Sequence, residues 1–268
     1  MKKIALILLL LSTLTAHAQV FMPPFENTAN LAMGGATAGW REPVNGVTNP
    51  AQLGYASRLG VLAWSAVPYS IGGWQSHGFQ AFTRLPGRSG VGLDILHSGI
   101  EGYTEQRFQA GYGRQLSDKL ALGGTIMGMR VSADEYGSRT AVSFAVGVTA
   151  QVLPTVSLGA TIQNPVPQKI DSSTIANLLK IGVAWQPSPA FVLSAAVDKD
   201  LERPFQMRAG AEYRPNNTIR LRLGVRNAPA RMAFGAGFAL KNGVRIDFCS
   251  EWHPVLGLTP GGMVGWIL

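Results

Sequence analysis

From residue 58 onward, apolar and polar residues alternate along the chain with a period of two. Val142, Phe144 and Val146, for example, are separated by small or polar residues. Successive side chains of a β-strand point to opposite faces, whereas a helical stripe repeats every 3.6 residues, and no helical stripe of comparable length competes. The pattern therefore predicts strands. The clearest windows are residues 139–152, 155–163, 205–214, 220–226 and 231–241.

Turn-forming residues separate these windows, and short and long connections take turns along the chain. The predicted short connections are residues 85–88, 116–119, 153–155, 186–190, 215–218 and 241–243. The predicted longer ones are residues 68–75, 98–105, 132–138, 164–177, 198–204, 227–230 and 253–260. Membrane β-barrels have short periplasmic turns and longer extracellular loops. The sequence thus predicts an all-β protein: a transmembrane antiparallel β-barrel of about 14 strands, with both termini on the periplasmic side.

Composition favours this barrel over a soluble β-sandwich, which would also alternate. Charged residues make up 14% of the chain, against about 25% in ordinary soluble domains, and the polar face is small and rich in glycine, with 32 glycines in all. Trp64, Trp185, Tyr213 and Trp252 fall near strand ends on the apolar face, where membrane-interface aromatics are expected. Because the chain has no apolar run long enough for a spanning helix, a closed barrel is the way it could cross a membrane.

The N-terminus has the features of a secretory signal peptide. A basic start is followed by an apolar run at residues 4–14 and by the small-x-small sequence Ala16-His17-Ala18. We therefore predict a signal peptide at residues 1–18, an N-terminal hatch or plug segment at residues 19–57, and the barrel at residues 58–268. The predicted location is the outer membrane.

Charge and motifs exclude several classes of function. The formal net charge is +8, but the arginines are scattered singly and form no basic run, so nucleic-acid binding is not expected. The chain has one cysteine and no hydrolase, metalloprotease or phosphate-loop string. We predict a protein that is not an enzyme and that has no metal site and no cofactor.

Eight charged residues are predicted to project into the barrel lumen. A barrel of fourteen strands is too wide for side chains alone to fill, so water or a plug must occupy it. The eight charges are expected to pair with one another and with the plug. The alternative is an anion-selective constriction. This lumen charge cluster consists of Arg208, Glu212, Arg220, Arg222, Arg226, Arg245, Asp247 and Glu251.

Two stretches of the N-terminal segment resemble a known signature. Residues 29–39 read ANLAMGGATAG and residues 45–53 read NGVTNPAQL. Together they resemble the MGGA…NPAxL signature of the FadL superfamily of outer-membrane barrels. Residues 208–215, 221–226 and 252–259 resemble the PorV/PorQ branch of that superfamily. The hatch-motif residues carried over by this resemblance are Met33, Gly34, Gly35, Asn49, Pro50 and Ala51.

The resemblance implies a fourteen-stranded barrel with an N-terminal hatch, in contact with outer-membrane lipid. The PorV/PorQ branch implies a role in type IX protein secretion or cell-surface assembly, with secretion-system subunits or secreted cargo as partners. The alternative is a FadL-like transporter of small hydrophobic molecules such as fatty acids. Since the longest predicted connection, residues 164–177, is short for a large extracellular ligand-capture site, the secretion role is the main expectation.

Overall fold

The computed structural model describes residues 19–20, 26–46, 48–56, 58–170, 173–200 and 203–268. The predicted signal peptide, residues 1–18, lies outside the described residues.

Fourteen antiparallel strands form one closed barrel, so the fold class predicted from the sequence is confirmed. Each strand pairs with its neighbours in the chain, and the last strand pairs with the first. Numbered β1 to β14 in chain order, the barrel strands are Leu59–Ala66, Gln75–Leu85, Ser89–Ile100, Tyr103–Gln115, Leu120–Ala133, Gly137–Leu153, Val156–Gln163, Leu178–Ser188, Phe191–Asp200, Gln206–Tyr213, Ile219–Arg226, Arg231–Ala239, Val244–His253 and Gly257–Ile267.

The closing pair runs in register from Ile267 opposite Gly60 to Gly261 opposite Ala66. The amide of Leu268 also donates a hydrogen bond to the carbonyl of Leu59, at 2.9 Å. The barrel therefore begins and ends at the same rim, as an even number of strands requires. We call this rim the short-turn end, because it also carries the connections at residues 86–88, 116–119, 154–155, 189–190, 214–218 and 240–243.

The connections at the opposite end are shorter than the sequence predicted. Residues 98–105, 132–138 and 253–260 were expected to form longer loops, but they lie largely within strands joined by tight turns at residues 101–102, 134–136 and 254–256. The alternation that defines the strands simply continues to these turns. As a result β3 to β6 are long, with β6 reaching 17 residues. The remaining connections at this end are residues 67–74, 164–177, 201–205 and 227–230.

The two faces of the wall differ in chemistry. Large apolar side chains project outward, including Leu93, Ile126 and Leu223, which are 58%, 67% and 65% exposed. One aromatic expectation is wrong: Trp64 does not lie on the outer face but is buried inside the barrel. There it joins the apolar cluster that packs against the N-terminal segment, where a large side chain fills space that smaller wall residues leave.

The N-terminal segment, described at residues 26–46 and 48–56, lies inside the barrel. It contains the short helix α1, Thr28–Ala32, and two 3-10 helices, Pro43–Asn45 and Pro50–Tyr55. Its side chains are almost all buried. A separate small sheet is formed by Gln19–Val20, Lys169–Ile170 and Ser173–Ile175. Among the described residues, no helix has the length and apolarity needed to cross a membrane.

Candidate functional site

Arg222 lies at the centre of a buried ion-pair chain on the inner wall. Its Nε donates to Glu212 Oε2 at 2.6 Å, and its Nη1 donates to Asp247. The second oxygen of Glu212 accepts a hydrogen bond from Arg214 Nε, also at 2.6 Å. Glu212 and Arg222 are directly opposite each other on β10 and β11, Asp247 on β13 meets Arg222 over Gly237 of β12, and all three charged residues are buried. Buried charges are stable when they are paired and hydrogen-bonded, and this arrangement meets that condition.

Three arginines lie side by side across β10, β11 and β12. Arg208 is directly opposite Arg226, which is directly opposite Arg231. Like charges in such positions repel one another. Glu251 on β13 offsets this repulsion by accepting from Arg226 at 2.6 Å and from Arg231 at 2.9 Å, while Asp198 lies 2.7 Å from Arg208.

The structure thus places six of the eight predicted lumen residues in ion pairs. Arg220 and Arg245 are different: they lie on the inner face near the short-turn end, and neither has an ion pair within the described part of the chain. The predicted cluster is therefore a network of paired charges with two unpaired arginines beside it. The six paired residues are Arg208, Glu212, Arg222, Arg226, Asp247 and Glu251.

Sequence reasoning missed several partners of this network. Asp198, Arg214 and Arg231 all form pairs with predicted members. A further pair, Asp94 with Arg107 at 3.7 Å, lies on the opposite wall. Asp198 and Asp94 both fall at inward positions of their strands, and that parity is the signal that could have identified them.

Two asparagines fix the local structure of the N-terminal segment. Asn27 caps α1, since its Oδ1 accepts a hydrogen bond from the Asn30 amide at 2.8 Å. Asn49 caps the second 3-10 helix through the Ala51 amide at 3.1 Å. A side-chain oxygen at the cap satisfies an amide that otherwise has no partner in the helix.

The predicted motif Met33-Gly34-Gly35 forms the turn that ends α1. Gly34 and Gly35 have φ values of +63° and +79°, in the left-handed region that glycine adopts without strain. Their amides donate to the carbonyls of Leu31 and Asn30, at 2.9 Å and 2.8 Å. This turn lies against the wall at β10 and β11, where Gly34 O accepts from Arg208 Nη1 at 3.3 Å.

The predicted motif Asn49-Pro50-Ala51 contacts the other side of the barrel. Asn49 Nδ2 donates to the wall carbonyl of Val148 at 3.1 Å and to Ala38 O within the segment at 3.0 Å. Pro50 and Ala51 lie against wall glycines of β4 and β5. The two halves of the signature therefore span the lumen and contact opposite walls.

Inward-facing glycines make room for this segment. At Gly210, a Cβ would lie 2.5 Å from the carbonyl oxygen of Met33, and at Gly235 it would lie 2.6 Å from the Cβ of Ala32. Real Cβ atoms do not approach other atoms so closely, so a side chain at these positions would displace the segment. The wall glycines in such contact with the segment are Gly90, Gly92, Gly113, Gly123, Gly147, Gly159, Gly210, Gly224 and Gly235.

Charged side chains add contacts between the segment and the wall. Glu42 Oε1 lies 3.1 Å from Arg214 Nη2, so the segment is connected to the ion-pair chain. Arg41 Nη1 donates to Gln151 Oε1 at 2.9 Å on the far wall.

Glu26 pairs with Lys180 across the lumen at 3.6 Å. Burial alone would raise the pKa of Glu26, but the positive charges of Lys180, Arg107 and Arg208 outweigh it and hold the pKa below its usual value. Glu26 is therefore a carboxylate at neutral pH.

Above the segment, on the side away from the short-turn end, is a cavity of about 500 Å³ that we call the vestibule. Its floor includes Glu26, Leu31 and Gly35 of the segment. One side of its wall carries apolar and aromatic side chains, Leu96, Ile100, Leu178, Trp74 and Tyr103, with Glu105, Arg107 and Lys180 on the same strands. The other side carries the three neighbouring arginines described above, Arg208, Arg226 and Arg231.

An aromatic cluster stands at the mouth of the vestibule. The ring of Tyr69 meets those of Trp74 and His253 edge to face, at centroid distances of 6.1 Å and 5.8 Å. Tyr69 and Ser70 both have positive φ, at 53° and 54°, which is unusual for residues other than glycine. The surrounding structure holds this backbone in place, since the Tyr69 amide donates to Thr259 Oγ1 at 2.9 Å.

The residues described include no group of His, Cys, Asp and Glu side chains with the geometry to hold a metal ion.

The sequence matches no protein-family model and no curated protein. Solved structures do resemble the fold. The Ralstonia pickettii toluene transporter TbuX is 15% identical, and the match covers 92% of this chain and 99% of TbuX with a TM-score of 0.71. The Pseudomonas putida toluene transporter TodX is 13% identical, with coverage of 92% and 98% and a TM-score of 0.71. A Pseudomonas aeruginosa FadL homologue is 13% identical, with coverage of 91% and 98% and a TM-score of 0.67. At these identities the likeness establishes the fold, and this chain has the closed fourteen-stranded barrel of FadL-like transporters.

Proposed function

We propose that the protein is an outer-membrane barrel that admits small hydrophobic molecules through the vestibule. The membrane location is supported by the outer face of the wall, where large apolar side chains are exposed on all sides of the barrel. In water such a surface would cause aggregation, whereas in a bilayer it is the expected lipid-facing belt. The short-turn end then faces the periplasm, and the first barrel strand begins there and the last one ends there.

The observation that carries the transport proposal is the vestibule itself. It lies inside a closed barrel, is lined in part by apolar and aromatic side chains among fixed charged groups, and ends on the buried N-terminal segment. Ligand sites are typically concave and mostly apolar, with a few fixed polar groups. The short loop at residues 164–177 had argued against a capture site, but the vestibule is bounded mainly by strands and by Tyr69 and Trp74.

Onward passage requires a movement of the segment or of the wall next to it. The wall is thin at Gly92 and Gly111, where a Cβ would lie 2.8 Å and 3.0 Å from the Leu53 side chain of the segment. The strands are fully paired at this point, so the wall is closed. Displacement of Leu53 would uncover the two glycines and bring the lumen close to the lipid-facing surface.

The names of the similar structures agree with this proposal. TbuX and TodX are described as toluene transporters, and these names refer to hydrophobic cargo. The role in secretion expected from the PorV/PorQ resemblance has only that sequence resemblance to support it.

A pair of variants on one strand tests the proposal. Leu178 lines the vestibule, whereas Leu179 is 39% exposed on the outer face. We expect Leu178→Trp to reduce uptake of labelled toluene or laurate into vesicles that contain the full chain, and Leu179→Trp to leave it unchanged. Equal uptake by the two variants, or by vesicles without protein, would overturn the proposal. Affinity isolation from membranes that recovers secretion subunits would favour the secretion role instead.

A further inference from the structure

An apolar groove lies on the outer face of the wall, across β1 to β6. It has a volume of about 750 Å³ and is lined almost entirely by apolar atoms. Its floor is formed by the small outward-facing residues Ala81, Ala110 and Gly124. Leu93 on β3 is directly opposite both Ala81 and Ala110, and Tyr112 on β4 is directly opposite Gly124. Larger side chains surround this floor, so the groove is a depression in the lipid-facing belt.

The groove is bordered by apolar residues toward one end of the barrel. The next outward row in that direction contains Phe79, Ile95, Phe108 and Val142. These side chains are exposed, as expected in the middle of a membrane belt.

Toward the short-turn end, the same groove is bordered by positive charge. Arg114 is the next outward residue after Tyr112 on β4, about 7 Å farther along the strand. Arg84 is opposite the inward-facing Gly90, so it lies on the lumen side of the same rim, while Arg88 and Lys119 lie in the turns at residues 86–88 and 116–119. We call the set formed by Arg58, Arg84, Arg88, Arg114 and Lys119 the basic rim.

The basic rim has little internal compensation. Arg88 pairs with Asp118 at 2.6 Å, and both side chains are largely exposed. Within the described residues, Arg58, Arg84, Arg114 and Lys119 have no ion pair, and all four are exposed. Arg114 is therefore available to a ligand on the outer face, at the border between the apolar belt and water, and the other unpaired cations of the basic rim lie along the same end of the barrel.

We propose that the groove and the basic rim together bind an anionic phospholipid, with acyl chains in the groove and the phosphate at Arg114. This goes beyond passage through the vestibule and rests only on the proposed membrane location and orientation. An apolar site that ends in cations matches an amphiphile with a negatively charged head, and basic side chains at a membrane surface attract anionic lipids. The lipid would lie in the periplasmic leaflet, because phospholipids of that leaflet have their phosphates toward the periplasm, as the basic rim does.

The test measures lipid retained by the folded full chain after detergent extraction from vesicles of phosphatidylglycerol or phosphatidylcholine, by native mass spectrometry. We expect retention of phosphatidylglycerol in preference to phosphatidylcholine. Arg114→Gln should weaken retention about fivefold, since one basic side chain near a charged lipid surface contributes about that factor. Arg114→Lys should restore most of it.

Two further variants separate charge from the groove. Lys241→Gln removes an exposed basic residue at the short-turn end but away from the groove, and it should leave retention unchanged. Gly124→Leu keeps every charge but fills the groove from its floor, so it should reduce retention. The barrel wall can accept this side chain, because the nearest atom to a Cβ at Gly124 is 3.7 Å away. Equal retention of the two lipids, or equal effects of Arg114→Gln and Lys241→Gln, would overturn the proposal. Vestibule transport would be unaffected by that result.

Discussion

The backbone of Met33 lies directly against Gly210 on the barrel wall, so that a Cβ at Gly210 would stand 2.5 Å from the Met33 carbonyl oxygen. This contact couples a residue of the wall to the position of the N-terminal segment.

We expect Gly210→Ala to displace the segment while the barrel stays closed, because alanine is well tolerated in a strand but not at this contact. The displacement should increase the conductance of the protein in a planar bilayer. Gly128→Ala is the matched control, since a Cβ at Gly128 has no neighbour within 4 Å. An unchanged conductance for Gly210→Ala would mean that the segment does not limit passage.

Removal of Arg222 should destabilise the barrel strongly. Its loss leaves Glu212 and Asp247 buried without their shared partner, and breaking a buried ion pair costs about 3 to 5 kcal/mol. The free energy of unfolding of Arg222→Met can be measured by urea titration in micelles.

The triple variant Arg222→Met, Glu212→Gln, Asp247→Asn serves as the control for that experiment. It removes the charges together and should recover much of the lost stability. If the single variant were as stable as the parent, the pairs would contribute nothing measurable.

The side-chain nitrogen of Asn49 should hold the segment to the wall, while its side-chain oxygen caps the second 3-10 helix. Asn49→Asp keeps the acceptor for the Ala51 amide but loses the donor to Val148 O and Ala38 O. We expect a loss of at least about 3 kcal/mol in local stability, since two buried carbonyls lose their donor and a buried carboxylate oxygen takes its place. Faster hydrogen exchange in residues 48–56, with unchanged exchange in β10, would report it.

Low pH should loosen the segment through Glu26. The pKa of this carboxyl is lowered in the folded protein, so its contribution to stability is complete above the ordinary value of 4.5 and is lost as the pH falls below that value through the folded pKa. Glu26→Gln should therefore destabilise the segment at pH 7 and differ little from the parent in strong acid. A constant difference at all pH values would contradict this assignment.

The sequence was sufficient for the wall but not for the contacts across it. Alternation alone placed Arg222, Glu212 and Asp247 on the inner face, because strand geometry fixes which side each residue faces. It could not identify Asp198 as the partner of Arg208, since that contact depends on how neighbouring strands align. Trp64 was misplaced because an aromatic side chain suits both a membrane interface and a packed lumen.

The N-terminal segment illustrates a second limit. Its signature residues could be identified by resemblance, and Gly34 and Gly35 could be expected at a turn. The matching glycines of the wall were visible only as a small polar face. Their fit to the segment, such as Gly210 against Met33, depends on contacts between residues far apart in the chain.

The barrel wall is taller at β3 to β6 than elsewhere, and this makes the orientation of the protein in the membrane measurable. Residues 137–144 of β6 continue past the last pair with β7, for about 26 Å along the strand. The turn at the top, residues 134–136, is far from the vestibule floor, and Tyr136 is 80% exposed. An epitope tag inserted at this turn would be displayed on the surface of intact cells if the short-turn end faces the periplasm, and antibody labelling would then fix the orientation of the whole barrel.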